Sequence, residues 1–466
     1  MESMEGSSPP QPVDLVITGA DVLTMDARCR VISNGALAIA GGRIVWVGPE
    51  AEVVQRFVPA NRLDAPGRIA MPGLLDTHFH TGQQLLRGKL HELGRRRHLR
   101  LPIWQNYLIP FESVLEEEDV YLSGLLAYAN MLRAGTTCFA EAGGPHPDQM
   151  GRAAEEVGIR GFVSLSTVDM GNGVPDSMIM TTRQAIDRNL ALVRRWNQPD
   201  RDSPVRAWLS LRQLISCTEE LWEAFRDLSD QLRVRVHTHL AEGTYEVDYS
   251  TARWGKRPAE HLEEIGFLGP RMHAAHSVLL SEHEVDLYAT YHVTAAHCPM
   301  GNYLIGPPKL PEMWRRGIAI GVGSDGASSG SIDLFQAIHA TWVAQQATFG
   351  TPWHDRSVFS AEDLLRITTN GGARALGEGD SLGSLEVGKR ADVLLINPEE
   401  LDLQPVYDPL FTVARCVTGR DVETVVVNGR IVMKDRRLLT VDEDKLRATV
   451  RERLPRILHA FETLIL

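Results

Sequence analysis

GLLDTHFH, residues 73–80, is an apolar run that ends in polar, metal-competent side chains, and its texture recurs seven more times before residue 384. The further runs are TTCFAEA (136–142), GFVSLST (161–167), VRAWLSLR (205–212), VRVHTHLAE (234–242), MHAAHSV (272–278), HVTAAHCP (292–299) and IAIGVGSDG (318–326). Most are followed by sequence with helical periodicity. In CTEELWEAFRDLSDQL (217–232), for example, Leu221, Trp222, Phe225 and Leu228 share one helical face. Eight strand–helix units over roughly 300 residues predict an α/β protein built on a (β/α)8 TIM barrel across residues 71–384. A doubly wound sheet fits five or six of these units less well. In such a barrel the chemistry sits at the C-terminal ends of the strands.

Outward from the barrel, both flanks change character. Residues 13–70 alternate Val and Ile between Gly and Asp breaks, with Gly41-Gly42 as a hairpin signal. The texture returns in ADVLLINP (391–398) and TVVVNGRIVMKDRRLL (424–439), where Asn428-Gly429 is a second hairpin signal. Residues 13–70 and 385–440 are therefore expected to form one small composite β-sandwich domain. Residues 441–466 are expected to form a C-terminal helix. Residues 1–12 are polar and rich in Pro and Ser, without the apolar stretch of a signal peptide, and read as a disordered tail.

The chain has 466 residues, 43% hydrophobic and 23% charged, which excludes a disordered or collagen-like polymer. A formal net charge of -12 argues against a nucleic-acid polymer or an acidic membrane as partner. Five scattered cysteines without a CxxC pair indicate a reducing compartment, and no run of 18 apolar residues occurs. A cytoplasmic location is expected. Only six of the 48 basic residues are lysines, and none lies between Lys89 and Lys256. GC-rich arginine codons account for that bias, but the gap has a chemical consequence.

His78 and His80 end the first barrel strand, and residues i and i+2 of a strand face the same side. Two imidazoles on one face can chelate a borderline metal such as zinc. The fifth strand ends in a second pair, His237 and His239, with the carboxylate of Glu242 three residues further on. A metal beside a proton-moving carboxylate is the equipment of a hydrolase. His276 lies on the sixth strand and Asp325 at the end of the eighth. A structural barrel histidine and a helix cap are the plain alternatives for these two, but their joint placement at strand ends favours a site.

PGLLDTHFH, HTHLAE, AAHSV and VGSDGASS together resemble the amidohydrolase superfamily. The similarity is to its metal-dependent aminohydrolases of cytosine, guanine and adenosine type, and to the s-triazine hydrolases. GSLEVGKRADVLLI (383–396) extends the resemblance into the composite domain. The resemblance implies that His78, His80, His239 and Asp325 hold one divalent metal, zinc first and iron second. The His-x-x-Glu spacing of the family selects His239 over His237. It further implies that Glu242 protonates a ring nitrogen, that His276 orients the attacking water, and that Asp325 carries its proton to the leaving amine. Binuclear relatives bridge two ions with a carboxylated lysine on strand 3 or 4. The lysine-free stretch offers none, so one metal is expected unless Glu141 bridges instead.

The segment 81–112 should fold over the barrel mouth. LLRG, Trp104 and the terminal PFE resemble the loop of nucleoside-type deaminases, where a tryptophan packs on the substrate and a glutamate, here Glu112, binds ribose hydroxyls. The Trp-to-Glu interval is one residue short of that pattern. Arg212 stands where adenosine-type enzymes carry a histidine, and arginine there can donate to a ring carbonyl or carboxylate. After strand 7 the family pattern His-Asn-Pro-x-Ser-Asn becomes His297-Cys298-Pro299-Met300-Gly301-Asn302. Trp104, Glu112, Arg212 and Asn302 are the expected substrate-binding residues, and Cys298 a buried filler.

The reading is a metal-dependent hydrolytic deaminase of an amino-substituted N-heterocycle: purine, nucleoside, pterin, pyrimidine or triazine. A cyclic amide or halo-triazine hydrolase on the same scaffold is the alternative, and a non-catalytic scaffold is disfavoured because every ligand is kept. The resemblance also implies a homo-oligomer.

Overall fold

The computed structural model of the chain describes residues 10–171, 173–199, 203–355 and 358–465. Residues 1–9 of the expected tail lie outside them. Five strands open the chain: β1 (Gln11–Leu23), β2 (Val31–Ala40), β3 (Arg43–Pro49), β4 (Phe57–Asp64) and β5 (Ile69–Pro72). Gln11 and Pro12 pair with Phe57 and Val58, so the end of the expected tail already belongs to the sheet. Extended backbone there satisfies its hydrogen bonds on β4, which is why these polar residues are ordered.

The barrel follows as β6 (Leu74–Phe79), β7 (Thr136–Glu141), β8 (Arg160–Val163), β9 (Val205–Ala207), β10 (Leu209–Leu211), β11 (Val236–Leu240), β12 (Met272–His276), β13 (Thr294–His297) and β14 (Ile320–Val322). All neighbours run parallel, and β14 returns to pair with β6. β9 pairs with β8 and β10 with β11, so the two form one stave that completes the ring. Between them stands Trp208, 4% exposed, its ring 4.5 Å from that of Phe162 inside the barrel. Nine short segments thus build the eight staves read from the sequence. Their residues are buried almost throughout, as parallel strands covered by helices must be.

The chain then returns through β15 (Val393–Ile396), β16 (Val422–Val427), β17 (Arg430–Lys434) and β18 (Arg437–Leu438). β15 pairs antiparallel with β5, which joins both chain ends into one mixed nine-stranded sheet. Leu15, Ile17, Leu37, Ile39, Val393 and Val426 form its own core. The two hairpin signals fold as read: Gly41 and Gly42 have φ of 56° and 71°, Asn428 and Gly429 of 51° and 78°. The turns also touch each other. A Cβ on Gly429 would meet the Gly42 Cα at 3.0 Å, so glycine is needed there for close approach as well as for φ.

A last helix, Glu443–Ile465, packs Phe461 edge-on against Phe111 at 5.3 Å between ring centroids. Arg453 and Arg456 of this helix hold the buried Asp119. It thereby braces the long segment that follows β6. Among the described residues, no helix is long and apolar enough to cross a membrane.

Candidate metal centre and active site

β6 delivers His78 and His80 to the barrel mouth, as the i, i+2 rule requires, while Phe79 is buried among the surrounding helices. β11 delivers His239 beside them. The ring nitrogens of His78, His80 and His239 all lie within 4.8 Å of one another. His80 Nε2 and His239 Nε2 are 3.1 Å apart. Asp325 Oδ1 is 3.3 Å from His78 Nε2 and 3.8 Å from His80 Nε2. Burial holds all four histidines here, His78, His80, His237 and His239, well below the ordinary imidazole pKa, so they are neutral at pH 7.

Backbone carbonyls then decide the tautomers, because a carbonyl only accepts. His239 Nδ1 donates to the Arg212 carbonyl at 2.9 Å, which leaves a lone pair on Nε2. His237 Nδ1 donates to the Glu141 carbonyl at 3.1 Å. Its Nε2 must therefore accept from His78 Nδ1 at 2.9 Å, which frees the lone pair of His78 Nε2. The neutral lone pairs of His78 and His239 belong to one cluster with His80, and Asp325 Oδ1 approaches it from the side of His78 and His80. His80 itself has a buried Nδ1 with no partner among the described residues. Two nitrogens bound to one tetrahedral zinc at about 2.0–2.1 Å stand roughly 3.3 Å apart, close to the His80–His239 separation. The donor set fits a divalent metal.

The other flank is built around His276. Asn302 Nδ2 donates to the His276 carbonyl at 3.2 Å and to His297 Nδ1 at 3.2 Å, so its Oδ1 accepts from His276 Nδ1 at 3.0 Å. His276 Nε2 is left with its lone pair. Both His276 (φ 69°) and Asp325 (φ 61°) sit in the left-handed region, a strained conformation for non-glycine residues that clusters at functional sites. Asn302 was expected among the substrate contacts. It is fully buried and its amide is spent on His276 and His297, so it orients the histidine. The satisfied barrel histidine is a different residue, His273, which bonds the Thr77 carbonyl at 2.9 Å and Thr294 Oγ1 at 2.9 Å.

Glu242 is half-buried at the C-terminal end of β11. Its Oε2 accepts from Gln213 Nε2 at 2.5 Å and from Tyr245 Oη at 2.9 Å. One carboxylate oxygen is thus fixed by two donors. Gln213 and Tyr245 are absent from the sequence reading. Tyr245 follows Glu242 by three residues at the start of a helix, but nothing in the sequence aims its hydroxyl back.

Glu112 and Arg212 meet each other. Arg212 Nη1 is 3.1 Å from Glu112 Oε2, with both side chains almost wholly buried. Gln83 Nε2 takes the other Glu112 oxygen at 2.8 Å, and Ser328 Oγ donates to Gln83 Oε1 at 2.8 Å. A buried carboxylate needs a partner, and for Glu112, expected to bind substrate, Arg212 and Gln83 supply one within the protein. Trp104 is 7% exposed and packs with Val168, Val174 and Tyr245, and its indole N–H has no partner among the described residues.

Glu141, the candidate bridge, is fully buried at the end of β7. Thr81 donates to its Oε2 through both N (2.9 Å) and Oγ1 (2.5 Å), and Oε1 has no partner. Burial pushes its pKa to about 8. Lys89 and Lys256, which bound the lysine-free stretch, pair with Glu92 and Glu264 at 2.7 and 2.8 Å. Cys298 is buried and its thiol is held protonated by burial and by the charges of Asp325, Asp76 and Glu242.

The family model described as Amidohydrolase family matches residues 69–432, and a composite domain of bacterial imidazolonepropionase-like proteins matches residues 35–57. A 5-methylthioadenosine/S-adenosylhomocysteine deaminase of Syntrophobacter fumaroxidans is 33% identical over 441 residues, 94% of this chain and 97% of its own. The protein of the same name from Pelotomaculum thermopropionicum is 31% identical over 449 residues, 96% of this chain and 99% of its own. A solved adenosine deaminase of Xanthomonas campestris, with bound zinc, is 30% identical with a TM-score of 0.88, covering 96% of this chain and 99% of that one.

Proposed function

This chain belongs to the amidohydrolase family, and we propose that it deaminates an amino-substituted N-heterocycle of adenosine type through one zinc ion held by His78, His80, His239 and Asp325. One observation carries this reading. The Nε2 lone pairs of His78 and His239 are fixed by the backbone carbonyls of Glu141 and Arg212, and Asp325 Oδ1 lies 3.3 Å from His78 Nε2.

A divalent ion supplies Lewis acidity there, which brings the ionisation of water towards neutral pH. Glu242, with Oε2 held by Gln213 and Tyr245, delivers a proton through Oε1 to a ring nitrogen, making the adjacent carbon more electrophilic. His276 accepts a hydrogen bond from the attacking water at Nε2 and aims it, because Asn302 keeps the proton on Nδ1. Asp325 takes the proton of the water and passes it to the departing amine. A C–O bond forms, the exocyclic C–N bond breaks as ammonia leaves, and the remaining hydroxyl proton returns to Glu242.

The adenosine-type substrate is supported by the names of the relatives. The Glu112–Arg212 ion pair favours a second reading, an aminated ring without a sugar, since the carboxylate that would meet ribose hydroxyls is already paired. Free cysteines throughout, with four of the five buried, support a cytoplasmic enzyme. A homo-oligomer and the division into a 71–384 barrel and a composite domain of 13–70 with 385–440 complete the reading.

The test is ammonia release by zinc-loaded protein across adenosine-type nucleosides, free aminopurines, pterins, cytosine and aminotriazines. Turnover of nucleosides above free bases supports the first reading, and the reverse order supports the second. Silence on all of them with metal bound refutes both. Product mass separates ammonia loss from ring opening or dehalogenation.

A further inference from the structure

Away from the histidines, at the N-terminal ends of the barrel strands, a cavity of about 410 Å³ lies between the barrel and the terminal sheet. Four guanidinium groups line it. Arg160 begins β8, Arg206 lies in β9, Arg43 begins β3, and Arg390 precedes β15. A backbone bridge between residues 43 and 390 sets two of them side by side.

Among the described residues, only Arg160 has a carboxylate partner, Asp392, in a bidentate contact of 2.9 and 3.1 Å. Arg206 Nη1 donates to the carbonyls of Ser203 and Val205 at 2.7 and 3.1 Å. Arg390 Nη1 donates to the Asn428 side-chain oxygen at 3.2 Å, and Arg43 Nη1 to the Gly388 carbonyl at 2.7 Å. These acceptors are neutral. Glu378 on the same wall is pushed upward by burial, against the pull of the surrounding arginines. Burial and the charges of Arg43, Arg160 and Arg206 disfavour the Arg390 cation. Among the described residues four guanidinium groups and one carboxyl group, that of Glu378, line the cavity, in a protein whose formal net charge is -12.

We propose that this cavity is a second ligand site, separate from the metal centre, that binds a phosphate-type oxyanion between Arg206 and Arg390. Guanidinium forks match the oxygens of phosphate in bidentate geometry, and Arg206 and Arg390 hydrogen-bond only to neutral acceptors. Arg160 and Arg206 belong to the barrel, Arg43 and Arg390 to the terminal sheet, so a bound anion ties the two together. Ligation by the native state alone raises the unfolding temperature. The anion can come as free phosphate or pyrophosphate, or as the phosphate of a small ester.

The test uses the zinc-loaded full chain at constant ionic strength. Thermal unfolding and calorimetric titration are run with inorganic phosphate, pyrophosphate and ribose 5-phosphate, against chloride. The expected result is stabilisation and saturable binding by phosphate species beyond chloride, weakened about tenfold or more in Arg206→Gln and in Arg390→Gln. Arg316→Gln, whose guanidinium pairs with Asp286 and does not line this cavity, serves as the control and should keep the response. Preference for ribose 5-phosphate identifies an ester as ligand, and preference for pyrophosphate a free anion. If wild type responds equally to phosphate and chloride, or if both variants bind like wild type, the proposal is overturned. Should either variant fold poorly, Arg206→Lys replaces it: it keeps the charge but not the fork, and unaltered affinity there rules out the bidentate contact.

Discussion

His237 Nε2 lies 2.9 Å from His78 Nδ1, and His237 Nδ1 lies 3.1 Å from the Glu141 carbonyl. A backbone acceptor at one end of this relay fixes which nitrogen of His78 can bind metal at the other. His237 is thus the residue behind the ligand, and its replacement tests that role. His237→Ala should lower metal affinity about 10–100-fold while leaving all four ligands in place. Chelator competition measures it, and an affinity equal to wild type would remove the relay. His78→Ala and Asp325→Ala should instead lose the metal and the activity together.

Glu242→Gln should keep the metal and lose kcat by about 10²-fold or more, because proton delivery is removed. Tyr245→Phe and Gln213→Ala each remove one donor to Oε2 and should cost less, with a displaced pH–rate profile. Metal content alongside steady-state kinetics checks all three. A wild-type rate in Glu242→Gln would show that the proton comes from elsewhere.

Gly301 stands where the family pattern has serine, and a Cβ there would lie 2.6 Å from Asp325 Oδ2. Gly301→Ser should push Asp325 from its place, lowering metal occupancy and turnover together. Unchanged metal content and rate in the purified variant would mean that the aspartate relocates freely.

Arg212 and Glu112 form a buried ion pair, and removing one partner strands the other charge. Arg212→Met should destabilise the protein by about 3–5 kcal/mol, and Arg212→Met with Glu112→Gln by much less. Denaturant unfolding of the single and double variants gives the coupling. Equal losses in both would show that the pair is not the source.

The buried carboxyl groups of Glu141 and Asp76 are raised by desolvation to about 8 and about 7. An acid whose folded pKa lies above its unfolded value keeps its proton longer in the native state. Stability of the metal-free protein should therefore fall as pH rises from about 4.5 to about 8, by an amount on the order of a few kcal/mol. Glu141→Gln should flatten the upper part of that decline. A metal-free wild type whose stability stays level over this range would show that the two groups ionise normally.

The barrel, its eight staves and the two histidine pairs at its mouth were legible in the chain because strand alternation is local. His78 and His80 face one way whatever the rest of the molecule does, and the terminal hairpins follow from Gly41-Gly42 and Asn428-Gly429. What these side chains meet is not local. The sequence places Asn302 near the mouth, but not its hydrogen bonds to His276 and His297. Glu112 and Arg212, 100 residues apart, were read as two contacts and are one ion pair. Gln213 and Tyr245 carried no signal, since a hydrogen bond leaves no periodicity. The spacing of residues along the chain thus determined which groups reach the barrel mouth. Only the closed barrel decided which nitrogen holds a proton, which carboxylate is neutralised and where the arginines crowd, because those depend on desolvation and on partners brought together from distant strands.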